Sequence, residues 1–203
     1  MTRVIAGAAG GRRLAVPPGS GTRPTSDRAR EGLFASVLSE FGGGLHGVHV
    51  MDLYAGSGAL GLEALSRGAA SVLLVESDAR SAAVIKANIK VVGLPGATVA
   101  TDRVERLLAR NRVQRENGYD LVLADPPYAV TGAAVREVLE LLVNGGWLAD
   151  GALVVVERAT RSGPVDWPPG YDEGKSRRYG EATFWYGWYG WYGNGTEAGQ
   201  AEQ

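Results

Sequence analysis

The chain contains no cysteine. That single absence removes disulfides, thiolate metal ligands and thiol nucleophiles together. Histidine is nearly missing as well: His46 and His49 are the only two, and alone they cannot build a metal site, so no metal is expected. Long apolar runs are also lacking, and nothing approaches the roughly 18 uninterrupted apolar residues of a membrane-spanning helix. The opening "MTRVIAGAAGGRRLAV" breaks its apolar stretches with glycines and arginines, unlike a signal peptide. The expectation is a cytoplasmic protein with no membrane partner. An excess of one charge sign is absent too, since the formal net charge is -1.

That total hides an asymmetry. Residues 1 to 30 carry Arg3, Arg12, Arg13, Arg23, Arg28 and Arg30 against a single acid, Asp27. Such an arm either holds a polyanion or is a solvated basic face. The 203 residues, 45% hydrophobic and 21% charged, suit one well-buried α/β domain with a modest extension. Two full enzymatic domains would not fit comfortably.

The stretch "RVIAGAAGGRRLAVP" has two short β-compatible pieces around Gly10–Gly11 and predicts a hairpin. A Pro/Gly/Ser/Thr connector follows, ending in helix-start chemistry with Thr25 or Ser26 as N-cap and Asp27 in the first turn. Ala29, Leu33, Phe34, Val37, Leu38 and Phe41 then recur at helical spacing up to the glycines at 42–44. From residue 48 onward, apolar strands alternate with helical segments. Strands are predicted at 48–55, 71–77, 97–101, 119–125 and 151–158, and helices at 58–68, 78–93, 102–116 and 132–143. Repeated β-α units with near-continuous apolar strands imply a parallel sheet covered on both faces, with ligands at the carboxyl ends of its strands. The terminal "YDEGKSRRYGEATFWYGWYG" predicts a closing hairpin. The repeated aromatics are read as edge-strand packing rather than a base-stacking platform, and 191–203 as a disordered tail. Three regions result: a hairpin extension and connector at 1–24, a main domain at 25–190, and the tail.

"DLYAGSGALG" at 52–61 satisfies the dinucleotide pattern G-x-G-x-x-G with Gly56, Gly58 and Gly61, and Glu76 has the spacing of a ribose acid. A hydride-transfer site is not evident, however, and Asp52 stands in front of the turn. There a carboxylate repels pyrophosphate but attracts an ammonium or sulfonium. A cofactor with an amino-acid cation and no phosphate fits better, and S-adenosyl-L-methionine is that molecule. Glu76 either accepts hydrogen bonds from ribose hydroxyls or caps a helix. Asp102, at the end of the third strand, either accepts from the adenine amine or caps the next helix.

The strongest motif is "DPPY", Asp125 to Tyr128, directly after an apolar strand. The lone pair of an exocyclic amine is delocalised into its base. If the Asp125 carboxylate and the Pro126 carbonyl accept the two N–H bonds, that lone pair turns toward a methyl donor. Pro126 and Pro127 stiffen the carbonyl, and Tyr128 offers a ring for an extruded base.

With these residues assembled, the chain resembles the class I S-adenosylmethionine-dependent methyltransferases that bear (D/N/S)PP(Y/F/W). More narrowly, it resembles the bacterial RsmD-like family of 16S ribosomal RNA guanine-N2 methyltransferases. The resemblance runs from Arg3 to about Tyr186 and rests on "TRPTSDRAREGLF", "VMDLYAGSGALGLEALSRGA", "VLLVESD", "YDLVLADPPY" and "RRYGEATFWY". It implies a Rossmann-like fold with a seven-stranded, mostly parallel sheet, an antiparallel last strand and a small N-terminal hairpin and helix extension. It also implies methylation of one guanine in 16S rRNA of the small-subunit particle by a monomer. Carried over, cofactor contacts fall on Asp52, Ala55, Gly56, Ser57, Gly58, Glu76, Ser77, Asp102, Arg103 and Asp125, with Thr25 near the methionine carboxylate. The catalytic tetrapeptide falls on Asp125, Pro126, Pro127 and Tyr128. RNA phosphates are expected at Arg3, Arg12, Arg13, Arg23 and Arg28. A DNA adenine or cytosine amino methyltransferase, and a non-catalytic RNA-binding assembly protein, are the alternatives.

Overall fold

A computed structural model describes residues 2–18, 26–110 and 117–190. Arg23, Thr25, the end of the helix predicted at 102–116 and the tail at 191–203 lie outside the described residues. The N-terminal ribbon is short, β1 (Thr2–Arg3) against β2 (Arg13–Leu14). After it come α1 (Asp27–Glu40), β3 (His49–Leu53), α2 (Ala59–Ser66), β4 (Ser71–Glu76), α3 (Ala79–Val92) and β5 (Ala97–Thr101). The chain continues through α4 (Val104–Leu108), β6 (Tyr119–Ala124), α5 (Gly132–Asn144), β7 (Leu148–Ala159), β8 (Tyr171–Tyr179) and β9 (Ala182–Tyr189).

Seven of these strands form one sheet in the order β5-β4-β3-β6-β7-β9-β8. The first five run parallel, while β9 lies antiparallel between β7 and β8. The expected reversed last strand is therefore present, inserted one place in from the edge. Alternation along the strands divides the core. Val50, Leu74, Leu121, Leu123 and Val155 face one layer with Leu33 and Phe34 of α1 and Ile85 of α3. Met51, Leu53, Val75, Val122 and Val154 face the other with Val104 of α4 and Val135 and Leu139 of α5. Strands buried on both faces must be apolar at nearly every position, as these are.

Helix starts follow the expected local chemistry. Ser26, Asp78 and Thr131 each cap a helix, their side-chain oxygens accepting the N–H of Ala29, Ser81 and Ala134. Most boundaries agree to within two residues, and two elements differ more. The strand expected at 151–158 begins three residues earlier, at Leu148, and runs to Ala159. The helix expected from Asp102 is described only over Val104–Leu108.

The ribbon is packed down rather than extended. Val4, Ala9 and Leu14 are buried in the core. The Glu63 carboxylate, itself fully buried on α2, accepts the N–H of Ile5 at 2.6 Å and of Ala6 at 3.0 Å. Ser66 Oγ accepts from Ala9 N at 2.9 Å and donates to the Ala6 carbonyl at 2.6 Å. On α3, buried Asn88 makes a two-way pair with the Ala15 backbone, both bonds at 2.9 Å, and its Nδ2 also donates to the Ser57 carbonyl. One side chain thereby ties the ribbon to the glycine turn.

Candidate active site

In a parallel sheet the chain leaves adjacent strands in opposite directions at one place, and a crevice opens there at the carboxyl ends. Here that place lies between β3 and β6, which pair while their neighbours β4 and β7 lie on opposite sides. A cavity of about 470 Å³ occupies this position. Of the residues expected at the cofactor, Asp52, Ala55, Gly56, Ser57, Glu76, Ser77, Arg103 and Asp125 line it, whereas Gly58 and Asp102 do not.

The turn after β3 is built for close approach. Gly58 has φ 78°, a left-handed conformation disfavoured for other residues, and begins α2. At Gly61 an added Cβ would lie 2.8 Å from Val72 Cγ1 and 3.0 Å from Asp52 Oδ2, so α2 packs against the sheet only with hydrogen there. Tyr54 also adopts a positive φ, 61°, unusual for a bulky residue. Its hydroxyl donates to Glu105 Oε1 at 3.1 Å, and burial, reinforced by Glu105, pushes the phenol pKa upward.

The acids are individually positioned. Asp52 is 1% exposed and its Oδ2 accepts the Gly61 N–H at 2.8 Å. Burial pushes its pKa up to about 7, with Glu76 adding to the rise and the Gly61 hydrogen bond opposing it. Glu76 Oε2 accepts from Gly56 N at 2.9 Å and Oε1 from Asp78 N at 2.8 Å. This carboxylate thus fixes the glycine turn while lining the cavity with lone pairs to spare. Asp102 sits differently. Its carboxylate accepts from Arg103 N at 2.9 Å and pairs with Arg110 at 3.0 Å and Arg106 at 3.7 Å, while Arg103 next to it lines the cavity.

The DPPY segment follows β6 directly. Asp125 is half-buried, and desolvation raises its pKa well above the ordinary carboxylate range, with Glu157 and Asp52 adding to the rise. Pro126 is buried against a small apolar void shared with Leu53, Tyr54 and Val135. Pro127 is exposed and its carbonyl accepts the Val130 N–H at 2.9 Å. Arg158 of β7 donates to the Val130 carbonyl at 2.8 Å, bracing the far end of the loop. Tyr128 is 60% exposed and follows Pro127, which lines the cavity.

Several relatives of the chain are methyltransferases by name. The model of the family described as Conserved hypothetical protein 95 matches residues 2–188. The chain is 37% identical over 172 residues to Ribosomal RNA small subunit methyltransferase D of Escherichia coli K12, spanning 81% of this chain and 80% of that protein. The chain belongs to this family. The protein of the same name from Haemophilus influenzae is 34% identical over 155 residues, covering 76% of this chain and 77% of its own. Among solved structures, the Escherichia coli chain described as "Putative methyltransferase yhhF" superposes with a TM-score of 0.78 at 32% identity, covering 92% of this chain and 97% of that one. The donor set lining the cavity fits S-adenosyl-L-methionine: acids for an ammonium and for ribose hydroxyls, and a glycine turn fronted by a carboxylate that would repel phosphate. Among the described residues no group of side chains could hold a metal, and no helix is long and apolar enough to cross a membrane.

The ribbon arginines are separated by the fold. Arg3 pairs with Asp27 at 3.0 Å, and Arg12 is hydrogen-bonded to the Val91 and Val92 carbonyls at the end of α3. Arg13 and Arg28 are exposed. Several cavity residues carried no sequence signal as such: Thr2, Val16 and Pro17 from the ribbon side, Tyr54, Glu105 and Arg30. Arg30 had a local cue, standing three residues after Asp27 on one helix face.

Proposed function

We propose that this chain methylates the exocyclic N2 amine of a guanine in 16S ribosomal RNA of the small subunit. The observation that carries the reading is the placement of Asp125 at the end of β6, on the cavity wall, with the exposed ring of Tyr128 three residues on. The relatives' names supply the RNA, and the sequence resemblance supplies the base and atom.

S-adenosyl-L-methionine supplies a sulfonium methyl that an amine lone pair can attack. Asp52 would hold the cofactor's ammonium, and Glu76 its ribose hydroxyls. The Asp125 carboxylate and the Pro126 carbonyl accept the two N–H bonds of the target amine and turn its lone pair toward the methyl. Tyr128 stacks on the extruded base, and orientation of this kind contributes up to about 7–11 kcal/mol toward the barrier. The raised pKa of Asp125 suits it to take the proton that the methylated amine sheds. Arg158, by holding Val130, keeps the loop from swinging away. Arg13, Arg28 and the ribbon face meet RNA phosphates.

The test offers purified chain and labelled cofactor to naked 16S rRNA, to small-subunit particles lacking the modification, and to duplex DNA. Label in either RNA substrate and none in DNA supports the reading. Label in DNA alone overturns it.

A further inference from the structure

The buried guanidinium of Arg30 has more donors than this chain satisfies. Its side chain is 1% exposed, yet it lines the cofactor cavity. Nη2 donates to Asp27 Oδ1 at 2.8 Å, while Nε and Nη1 have no hydrogen-bond partner. Burying unpaired donors of a cation is costly, so a structure that keeps them has a use for them. Asp27 does not neutralise the pair of cations it touches. Its other oxygen is engaged by Arg3 at 3.0 Å, leaving two guanidiniums on one carboxylate. This corner of the cavity therefore carries excess positive charge and free donors, which suit an anion.

The rest of the wall says which anion. Asp52, Glu76, Glu105 and Asp125 line the same cavity and meet cationic or hydroxyl groups. S-adenosyl-L-methionine carries one anionic group, the α-carboxylate beside its ammonium. An RNA phosphate needs a donor that solvent reaches, whereas Arg30 is 1% exposed and lines the cavity together with Val16 and Pro17. We propose that Arg30 binds the α-carboxylate of the methyl donor, with Asp27 positioning the guanidinium from the α1 start and Asp52 taking the neighbouring ammonium. Arg30 and Asp52 then read the two ends of the zwitterion, and a helix outside the parallel β-α units becomes part of the cofactor site.

The inference rests on the cofactor and not on which RNA base is modified, so it survives a different methylated nucleoside. Calorimetric binding to three ligands tests it: S-adenosylhomocysteine, which has the carboxylate; decarboxylated S-adenosylmethionine, which keeps the ammonium only; and 5′-methylthioadenosine, which has neither. Arg30→Met should weaken S-adenosylhomocysteine by about ten- to a hundredfold, the range of a lost charged hydrogen-bond pair, and leave the other two within about twofold. Arg30→Lys should recover part of the loss. The unchanged affinity of 5′-methylthioadenosine reports that the variant is folded. An equal loss for all three ligands in both variants overturns the proposal, because Arg30 is then only structural. Unchanged S-adenosylhomocysteine affinity with a raised KM for RNA also overturns it and assigns the guanidinium to a phosphate. If the wild-type chain binds none of the three, the cofactor assignment falls and the proposal with it.

Discussion

Asp52→Asn isolates the cost of keeping a carboxylate at the bottom of the cofactor cavity. Asparagine retains an oxygen for the Gly61 N–H, which Asp52 Oδ2 accepts at 2.8 Å, and removes only the ionisation. The acid titrates at 3.8 when solvated and near 7 when folded, because burial dominates its environment. Between those values the unfolded chain has released the proton and the folded chain still holds it. Stability therefore falls as pH rises through this window, and it levels off above about 7. A shift of that size corresponds to roughly 4 kcal/mol at full ionisation. Urea unfolding of the ligand-free chain at pH 5 and pH 8 should show the variant gaining on wild type by roughly 2 to 3 kcal/mol between the two, after the part already lost at pH 5 is removed. The same variant should bind S-adenosylhomocysteine more weakly at pH 8, where the missing charge faced the ammonium. If the two stability profiles run parallel from pH 5 to pH 8, Asp52 is ionised in the free protein and the reasoning fails.

Three further outcomes follow from the geometry. Asp125→Ala should lower kcat for methyl transfer by about two to four orders of magnitude while leaving cofactor affinity within a few-fold, as single-turnover assays and calorimetry would report; undiminished turnover would remove the carboxylate from the mechanism. Gly61→Ala should destabilise the chain by about 1–3 kcal/mol, because its Cβ would lie 2.8 Å from Val72 Cγ1, and an unchanged thermal midpoint would mean that α2 can shift freely. The ribbon arginines should separate: Arg13→Ala should reduce the salt slope of RNA binding by about 0.7 to 0.9 without altering stability. Arg12→Ala should instead cost about 0.5–1.5 kcal/mol, through the lost hydrogen bonds to Val91 and Val92, and equal effects of both variants on the salt slope would reject this division.

Much of the site was legible because its chemistry is local in sequence. Asp52, the glycine turn, Glu76 and Asp125 each sit at the end of an apolar strand, and a parallel sheet brings all such ends to one edge. What stayed hidden depends on contacts between distant parts of the chain. The arginine-rich start reads as a basic hairpin, and nothing in it shows that Glu63 and Ser66 receive its backbone from nearly sixty residues away. Glu63 looks like an ordinary helix acid, since no periodicity marks a carboxylate that will be buried by two backbone N–H groups. Asn88 likewise reads as a surface residue of an amphipathic helix, although it binds the ribbon to the turn. Asp102 was legible as a strand-end acid, but its pairing with Arg106 and Arg110 follows from where α4 turns. Arg30 was visible only as one of several arginines; its burial and its unpaired nitrogens come from the docking of α1.

The central claim is that Asp125 to Tyr128 present a guanine N2 amine to the methyl donor. Its most direct test is mass spectrometry of nucleosides from small-subunit RNA after methyl transfer by the purified chain. N2-methylguanosine is expected as the single new product, absent when Asp125→Ala replaces the wild-type chain. Methyl on a ring nitrogen, a ring carbon or a ribose oxygen, or on the amine of another base, would contradict it.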